Sequence, residues 1–243
     1  MELARKVQDR LIPQHPPGIC GLHAVGWTLP ASIAGGDCFD LWKIQTGTLG
    51  VFLGDASGHG LAPALVVSQA RTLIRALSEI DCDPQWLLSR VNTRLVDDLE
   101  DSRFVTAFSG CVSDQGEVKW FSAGHGPIFV RRTPTSGIEM LTPQAPPIGV
   151  DPTMPDEPSA CVTIEPGGLL AVLSDGIFEA GHHETGELYG VDRVCEMLDK
   201  YRAMSPSDLL VRLREAMIEW QGKEEPADDQ TAVLVQRAML GVE

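Results

Sequence analysis

Four aspartate positions share one local setting. Asp37 follows Gly35 and Gly36. Asp55 follows an apolar run and Gly54. Asp175 closes the apolar run 169–174 and precedes Gly176. Asp229, with Asp228 beside it, immediately precedes the last apolar run. Glycine neighbours let a backbone turn sharply and approach a ligand closely. A carboxylate at a strand end points out from the rim of a sheet, so four such ends at one rim form an oxygen-rich cluster. Packed together without compensation, carboxylates repel and some take up protons. Hard divalent cations such as Mg²⁺ and Mn²⁺ prefer carboxylate, carbonyl and water oxygens. Two divalent ions neutralise four carboxylates, and such a pair can hold a bridging hydroxide and clamp a phosphoryl group for in-line attack. An aspartate beside glycine is equally an ordinary turn or cap residue, and the spacings by themselves carry no metal signature.

The elements that must position these groups are legible in outline. Leu3, Val7 and Leu11 form a narrow helical stripe, stopped by Pro13, Pro16 and Pro17. Strand character begins near residue 22. Val66, Ala70, Leu73, Leu77 and Ile80 predict a helix over 61–80, and Leu87, Val91, Leu95 and Leu99 a second over 84–99. Apolar runs at 104–112 and 118–122 read as a hairpin through Asp114-Gln115-Gly116. Further strands are expected at 128–131, 161–164, 169–174 and 231–236, with a loop over 133–160 holding one short strand near Met140. Val191, Val194, Leu198 and Tyr201 mark a third helix. Ser205 as N-cap and Pro206 at the first position start a fourth, with Leu209, Leu213, Met217 and Trp220 on one face. Helices gathered in pairs between antiparallel strands, without βα alternation, predict two packed sheets with helices outside them.

The chain has 243 residues and a net charge of −15. That excess of acid argues against duplex nucleic acid and anionic membrane surfaces as partners. No apolar run is long enough to span a bilayer. Cys20, Cys38, Cys82, Cys111, Cys161 and Cys195 form no C-x-x-C pair and read as reduced packing residues. The opening residues carry charge and no apolar core, so no secretory signal is expected and a cytoplasmic location is. A bare helical start is also what a domain continuing further upstream would show. His125 reads as structural, His182-His183-Glu184 as a solvated loop, and Gly58-His59-Gly60 is no phosphate-binding loop, since no Gly-Lys-Ser/Thr follows.

The motifs Ala34-Gly35-Gly36-Asp37-Cys38-Phe39-Asp40, Gly54-Asp55-Ala56-Ser57-Gly58-His59-Gly60, Ala123-Gly124-His125-Gly126-Pro127, Ser174-Asp175-Gly176-Ile177-Phe178-Glu179-Ala180 and Asp228-Asp229-Gln230-Thr231 follow one another in order. In that order the chain resembles the metal-dependent PPM (protein phosphatase 2C-like) Ser/Thr phosphatases, specifically their bacterial SpoIIE/RsbU branch, over about residues 20–238. The resemblance implies an α+β fold: a central antiparallel β-sandwich flanked by paired α-helices, in α-β-β-α layers. It implies a linker or regulatory helix over 1–17 and a phosphatase domain over 18–240. It also implies two divalent cations, Mn²⁺ or Mg²⁺. Asp55 would bridge them. Asp37 and the Ala56 carbonyl would serve the second, and Asp175 and Asp229 the first. Asp228 would stand behind Asp229 or exchange places with it. A bridging metal hydroxide would then attack phosphorus directly.

Two departures stand out. Where the animal enzymes carry Asp-Gly-His, this chain has Asp55-Ala56-Ser57, so a histidine near the leaving group is missing there. His59, two residues on, is the candidate to protonate the leaving oxygen, or it orients its loop. No early arginine stands out to grip phosphate, which shifts substrate binding onto the metals and onto partner docking. By resemblance the substrate is phosphoserine or phosphothreonine on a regulatory protein, of the STAS-domain anti-anti-sigma type, in a bacterial partner-switching circuit. The N-terminal helix is expected to pair two chains or to relay a signal from a sensor or receiver module. The helices over 61–80 and 84–99, which follow the Asp55 loop, are a route by which a signal reaches metal affinity. A catalytically silent phosphoprotein-binding module and a two-metal hydrolase of small phosphate esters remain as alternatives.

Overall fold

The computed structural model describes residues 2–13, 15–44, 47–58, 60–99, 103–222 and 225–239, with side chains from residue 5 onward. In chain order the elements are α1 (Glu2–Leu11), β1 (Leu22–Leu29), β2 (Asp37–Lys43), β3 (Leu49–Ala56), α2 (Leu61–Leu77), α3 (Pro84–Leu95), β4 (Val105–Val112), β5 (Glu117–Ala123), β6 (Ile128–Arg131) and β7 (Glu139–Leu141). They continue with β8 (Ala160–Thr163), β9 (Leu169–Leu173), α4 (Asp175–Phe178), α5 (Gly190–Lys200), α6 (Pro206–Gln221) and β10 (Gln230–Arg237).

The strands form two five-stranded antiparallel sheets, in the orders β1-β10-β9-β6-β7 and β2-β3-β4-β5-β8. Side chains alternate across each strand, so a strand buried on both faces reads as a continuous apolar run. In β9, Leu170 and Val172 enter the layer between the sheets, where they meet Phe39, Leu53, Phe108 and Val233. Leu169, Ala171 and Leu173 point the other way, into a layer with Val194, Leu198, Leu209, Leu213 and Met217 of α5 and α6. On the far sheet, Cys38, Phe52, Ala107 and Phe121 face Val67, Ala70 and Ile74 of α2 and Leu87, Leu88 and Val91 of α3. The result is the α-β-β-α sandwich that the sequence predicts.

Local chemistry sets the helix ends. Asp83 accepts a hydrogen bond from Trp86 N at the start of α3, and Ser205 from Asp208 N at the start of α6; each is followed by proline at the first position. Three expectations need correction. The buried face of α2 is Pro63, Ala64, Val67, Ala70 and Ile74, while Val66, Leu73 and Leu77 form its half-buried flank. Ile80 lies beyond the end of α2 and is 78% exposed. Helix α3 stops at Leu95, although the Leu99 side chain still packs on the same layer. On the α1 stripe Val7 is 54% exposed and Leu11 is half-buried, while Leu3 lies among the residues whose side chains are not described.

Candidate active site

The register of the strands assembles the site. Asp37 begins β2 and lies directly opposite Asp55 near the end of β3, an arrangement that like charges disfavour. The loop before Asp37 is pressed against Ala56, whose N–H donates to Gly36 O at 3.0 Å. A Cβ on Gly36 would sit 2.5 Å from Ala56 O, and one on Gly35 2.6 Å from an Asp229 oxygen, so no side chain fits at either position. Beyond Ala56 the chain is pinned by Ser57 N to Phe104 O at 2.9 Å and by Phe104 N to Ser57 Oγ at 3.0 Å.

The second half of the rim comes from the other sheet. Ser174 N donates to Thr231 O at 2.9 Å, and Ser174 Oγ accepts from Thr231 N at 2.9 Å, locking the end of β9 to the start of β10. Asp175 then opens α4, a single turn that hydrophobic periodicity does not reveal. Gly176 packs so closely on the Asp229 carbonyl that a Cβ would lie 2.1 Å from it, and Gln230 Nε2 donates to Gly176 O at 2.9 Å.

The two adjacent aspartates have different tasks. Asp229 is buried and turned inward. Its Oδ1 accepts from Ala31 N at 2.7 Å, and its Oδ2 accepts from Gly36 N at 2.5 Å and Asp37 N at 3.4 Å. Both oxygens are thus engaged by backbone amides. Asp228 is exposed and accepts Asp229 N at 2.8 Å with one oxygen. Its charge acts on both Asp55 and Asp175.

Burial pushes the Asp55 carboxyl up to about 7, and the charges of Asp175, Asp228 and Asp229 add to the shift. Asp175 is raised by burial, then by Asp228 and Glu179. Asp37 is raised well above the usual carboxylate range by burial and by the Asp55 charge. The hydroxyls of Ser174 and Thr231 lie close enough to Asp37 to hold that rise back. Both are engaged elsewhere, however: Ser174 Oγ donates to Asp229 O at 3.3 Å, and Thr231 Oγ1 pairs with Thr28 Oγ1 at 2.7 Å. Neither Asp37 oxygen meets the distance and angle of a hydrogen bond among the described residues.

Two orphaned carboxylate oxygens in a 3% exposed side chain are costly unless a cation or proton completes them. With Asp55, Asp175, Asp228 and the Ala56 carbonyl at the same rim, the donors are all hard oxygens, and they fit divalent cations of the magnesium type. Among the described residues no three of these side chains already converge as a closed ligand set. Mutual repulsion favours such a spread.

The remaining candidates sort cleanly. His59 lies outside the described residues. His125 is buried and pairs through Nδ1 with Thr106 Oγ1 at 2.9 Å; burial pushes it down to about 4, which suits a neutral structural imidazole. Thr106 lies opposite Asp55 in the β3–β4 pairing, so His125 supports the strand beside the site. His182 and His183 stack on each other, His182 meets the Trp220 ring edge-on and His183 Nδ1 pairs with the Trp220 carbonyl, rather than joining a cluster of ligands among the described residues. Burial pushes the Cys38 thiol up to about 12, in keeping with packing. Periodicity passes over Asp40, a buried carboxylate that anchors α2 through Arg71 at 2.8 Å and Arg75 at 3.1 Å. It also passes over Gln8, whose side chain is buried against Gly35.

Two sheets between helix pairs, with an acidic rim at the strand ends, define the class of PP2C-type phosphatase domains. The same fold is found in the SiaA-PP2C domain of Pseudomonas aeruginosa, with a TM-score of 0.83 at 20% identity, over 97% of this chain and 94% of that one. It is also found in RsbX in complex with magnesium, with a TM-score of 0.66 at 16% identity, over 88% of this chain and 94% of that one. The chain belongs to the Stage II sporulation protein E (SpoIIE) family, whose model matches residues 45–238 and so includes Asp55, Asp175, Asp228 and Asp229. Phosphoserine phosphatase RsbU of Bacillus subtilis (strain 168) is 22% identical over 238 residues, which is 98% of this chain and 70% of RsbU.

Proposed function

We propose that the chain is a metal-dependent protein serine/threonine phosphatase that removes phosphate from phosphoserine or phosphothreonine of a regulatory protein. The observation that carries this reading is the rim itself. Aspartates from both sheets crowd one rim at the ends of β2, β3, β9 and β10, and burial together with the neighbouring acidic charges holds the carboxyls of Asp37, Asp55 and Asp175 above their ordinary range. Family membership and the likeness to RsbU support phosphoserine as substrate. A STAS-domain protein in a partner-switching circuit is the substrate that the family resemblance implies.

In this reading Asp55, Asp175, Asp228, Asp37 and the Ala56 carbonyl would hold two divalent cations, Mn²⁺ or Mg²⁺, with Asp175 and Asp228 serving one side of Asp55 and Asp37 with the Ala56 carbonyl the other. Asp229 is assigned a holding role, because backbone amides occupy both its oxygens. When bound, the cations supply Lewis acidity, offsetting carboxylate charge and stabilising the charge that develops on the transferring phosphoryl group. The residues of the chain do the positioning. The Gly35–Gly36 turn sets Asp37 against Asp55, the Ser57–Phe104 pair fixes the loop after Ala56, and the Ser174–Thr231 lock sets Asp175 beside Asp228. His59, four residues after Asp55 in the sequence, is the candidate by sequence to pass a proton to the leaving oxygen. Residues 1–17 are read as a regulatory helix that pairs with a second chain or an upstream module, and exposed Val7 supports this. Among the described residues no helix is long and apolar enough to cross a membrane; a cytoplasmic site of action is part of the proposal.

Phosphate release from a serine-phosphorylated STAS-domain protein in Mn²⁺, with and without excess ATP or AMP, tests the substrate class. Release that nucleotides do not suppress is expected. Preferential hydrolysis of a nucleotide would instead make the chain a small-ester hydrolase on the same fold.

A further inference from the structure

Helix α1 touches the body in an unusual way. From Arg5 to Arg10, Gln8 is the one buried side chain; its neighbours face solvent. Nothing apolar explains that burial, because the side-chain amide of Gln8 is spent on backbone. Its Nε2 donates to Gly35 O at 2.7 Å and to Asp37 O at 3.4 Å, and its Oε1 accepts from Gly35 N at 3.1 Å. A primary amide that both donates to and accepts from one residue reads backbone much as a β-strand neighbour does, and it holds that residue in one orientation.

The rest of this turn is held from other directions. Gly36 N and Asp37 N go to Asp229, and Gly36 O accepts from Ala56 N. Both polar backbone groups of Gly35 are left to Gln8. Without it they lie in a buried turn with no room for a side chain to replace them. Asp37 follows two residues later, with both its oxygens lacking hydrogen bonds among the described residues. A glycine pair is also the most flexible backbone available, so its fixed shape must come from these bonds.

We propose that Gln8 is a positioning residue for the metal loop: from α1, its amide fixes Gly35 and thereby sets Asp37 against Asp55. The metal roles of Asp37 and Asp55 are those proposed above, and the inference rests on them. Because the latch is polar and the other described residues from 5 to 10 face water, that stretch of α1 lifts without exposing a core, while Ile12 just beyond the helix stays packed against the layer between the sheets. A partner that draws α1 away thus loosens Asp37 and weakens cation binding at the Asp37 side, leaving the Asp175–Asp228 side in place. The route differs from the helices that follow Asp55, since it enters the site from the opposite strand, β2.

The test uses the full chain, with Gln8→Ala, Gln8→Glu and, on the exposed side of α1, Lys6→Ala. Amide hydrogen exchange in EDTA is measured along the chain, and Mn²⁺ binding is titrated calorimetrically without substrate. In Gln8→Ala, exchange is expected to quicken about tenfold at Gly35, Gly36 and Asp37, the scale of losing ordinary hydrogen bonds, with other segments unchanged. One Mn²⁺ site weakens by a similar factor, and kcat at saturating Mn²⁺ stays within about twofold. Gln8→Glu, which keeps the acceptor and loses the donor, falls between, and Lys6→Ala matches wild type. Unchanged exchange and unchanged Mn²⁺ binding in Gln8→Ala would overturn the inference. So would faster exchange spread evenly over the chain, because that marks a general stabilising contact. A wild-type protein that binds no Mn²⁺ contradicts the metal assignment, and with it this proposal's metal step, whereas local quickening at Gly35 would still support the latch.

Discussion

Asp55→Asn is expected to abolish metal-dependent phosphatase activity, by at least about 1,000-fold, and at the same time to make the metal-free protein more stable. The two effects have one cause. Asp55 is the half-buried carboxylate on which the charges of Asp175, Asp228 and Asp229 converge, and burial lifts it to about 7. An unfolded aspartate titrates near 4. Between those values the folded protein holds a proton that the unfolded chain has lost. Stability from this group is therefore full below about pH 4 and falls as pH rises through about 7. Asp37 and Asp175, also raised, act in the same direction. In EDTA the unfolding temperature of wild type should therefore drop from pH 5 to pH 8. Asp55→Asn should flatten that slope and melt about 4–8 °C higher at pH 8, corresponding to about 2 kcal/mol. A thermal-shift series over pH in EDTA reads this directly. A variant that melts lower than wild type at pH 8 would mean that the rim carboxylates do not repel as the structure implies.

The adjacent Asp228 and Asp229 should part company under mutation. Asp229→Ala strips the acceptor from the amides of Ala31, Gly36 and Asp37. Buried donors left unsatisfied cost about 1–3 kcal/mol each, and partial relaxation brings the sum to about 3–5 kcal/mol. The protein should melt roughly 10 °C lower even in EDTA. Asp228→Ala removes an exposed carboxylate that raises Asp55 and Asp175, so metal-free stability should hold or increase slightly. Its Mn²⁺ affinity should fall by more than the about 10–100-fold typical of outer-shell changes. Parallel melting curves and Mn²⁺ titrations distinguish the pair. Reversal of the pattern, with Asp228 structural and Asp229 needed only for metal, would exchange the two roles.

The fold was open to reading because its strands are buried on both faces. Leu169–Leu173 reads as one apolar block, and the apolar spacing of Leu209, Leu213 and Met217 fits no other element. Caps at Asp83 and Ser205 carry their own local chemistry. Periodicity places the face of α2 one position off because both its sheet-facing residues and its flank are apolar, and it does not by itself separate Val67 and Ile74 from Val66 and Leu73. The aspartates of the rim could be picked out by their glycine neighbours, but their division of labour could not. Whether Asp228 or Asp229 turns inward depends on amides supplied by residues 31–37, almost two hundred positions away. Gln8 was hidden for a related reason. A glutamine on a polar helix face carries no sequence signal until the turn it grips is brought beside it.

The measurement that bears most directly on the central claim is turnover of p-nitrophenyl phosphate by the purified chain in Mn²⁺, in Mg²⁺ and in EDTA, with Mn²⁺ binding titrated on the same samples. A two-cation phosphatase gives turnover that appears with Mn²⁺ or Mg²⁺ and disappears in EDTA, with more than one Mn²⁺ bound per chain. Turnover that survives EDTA, or a chain that binds no divalent cation, would contradict it.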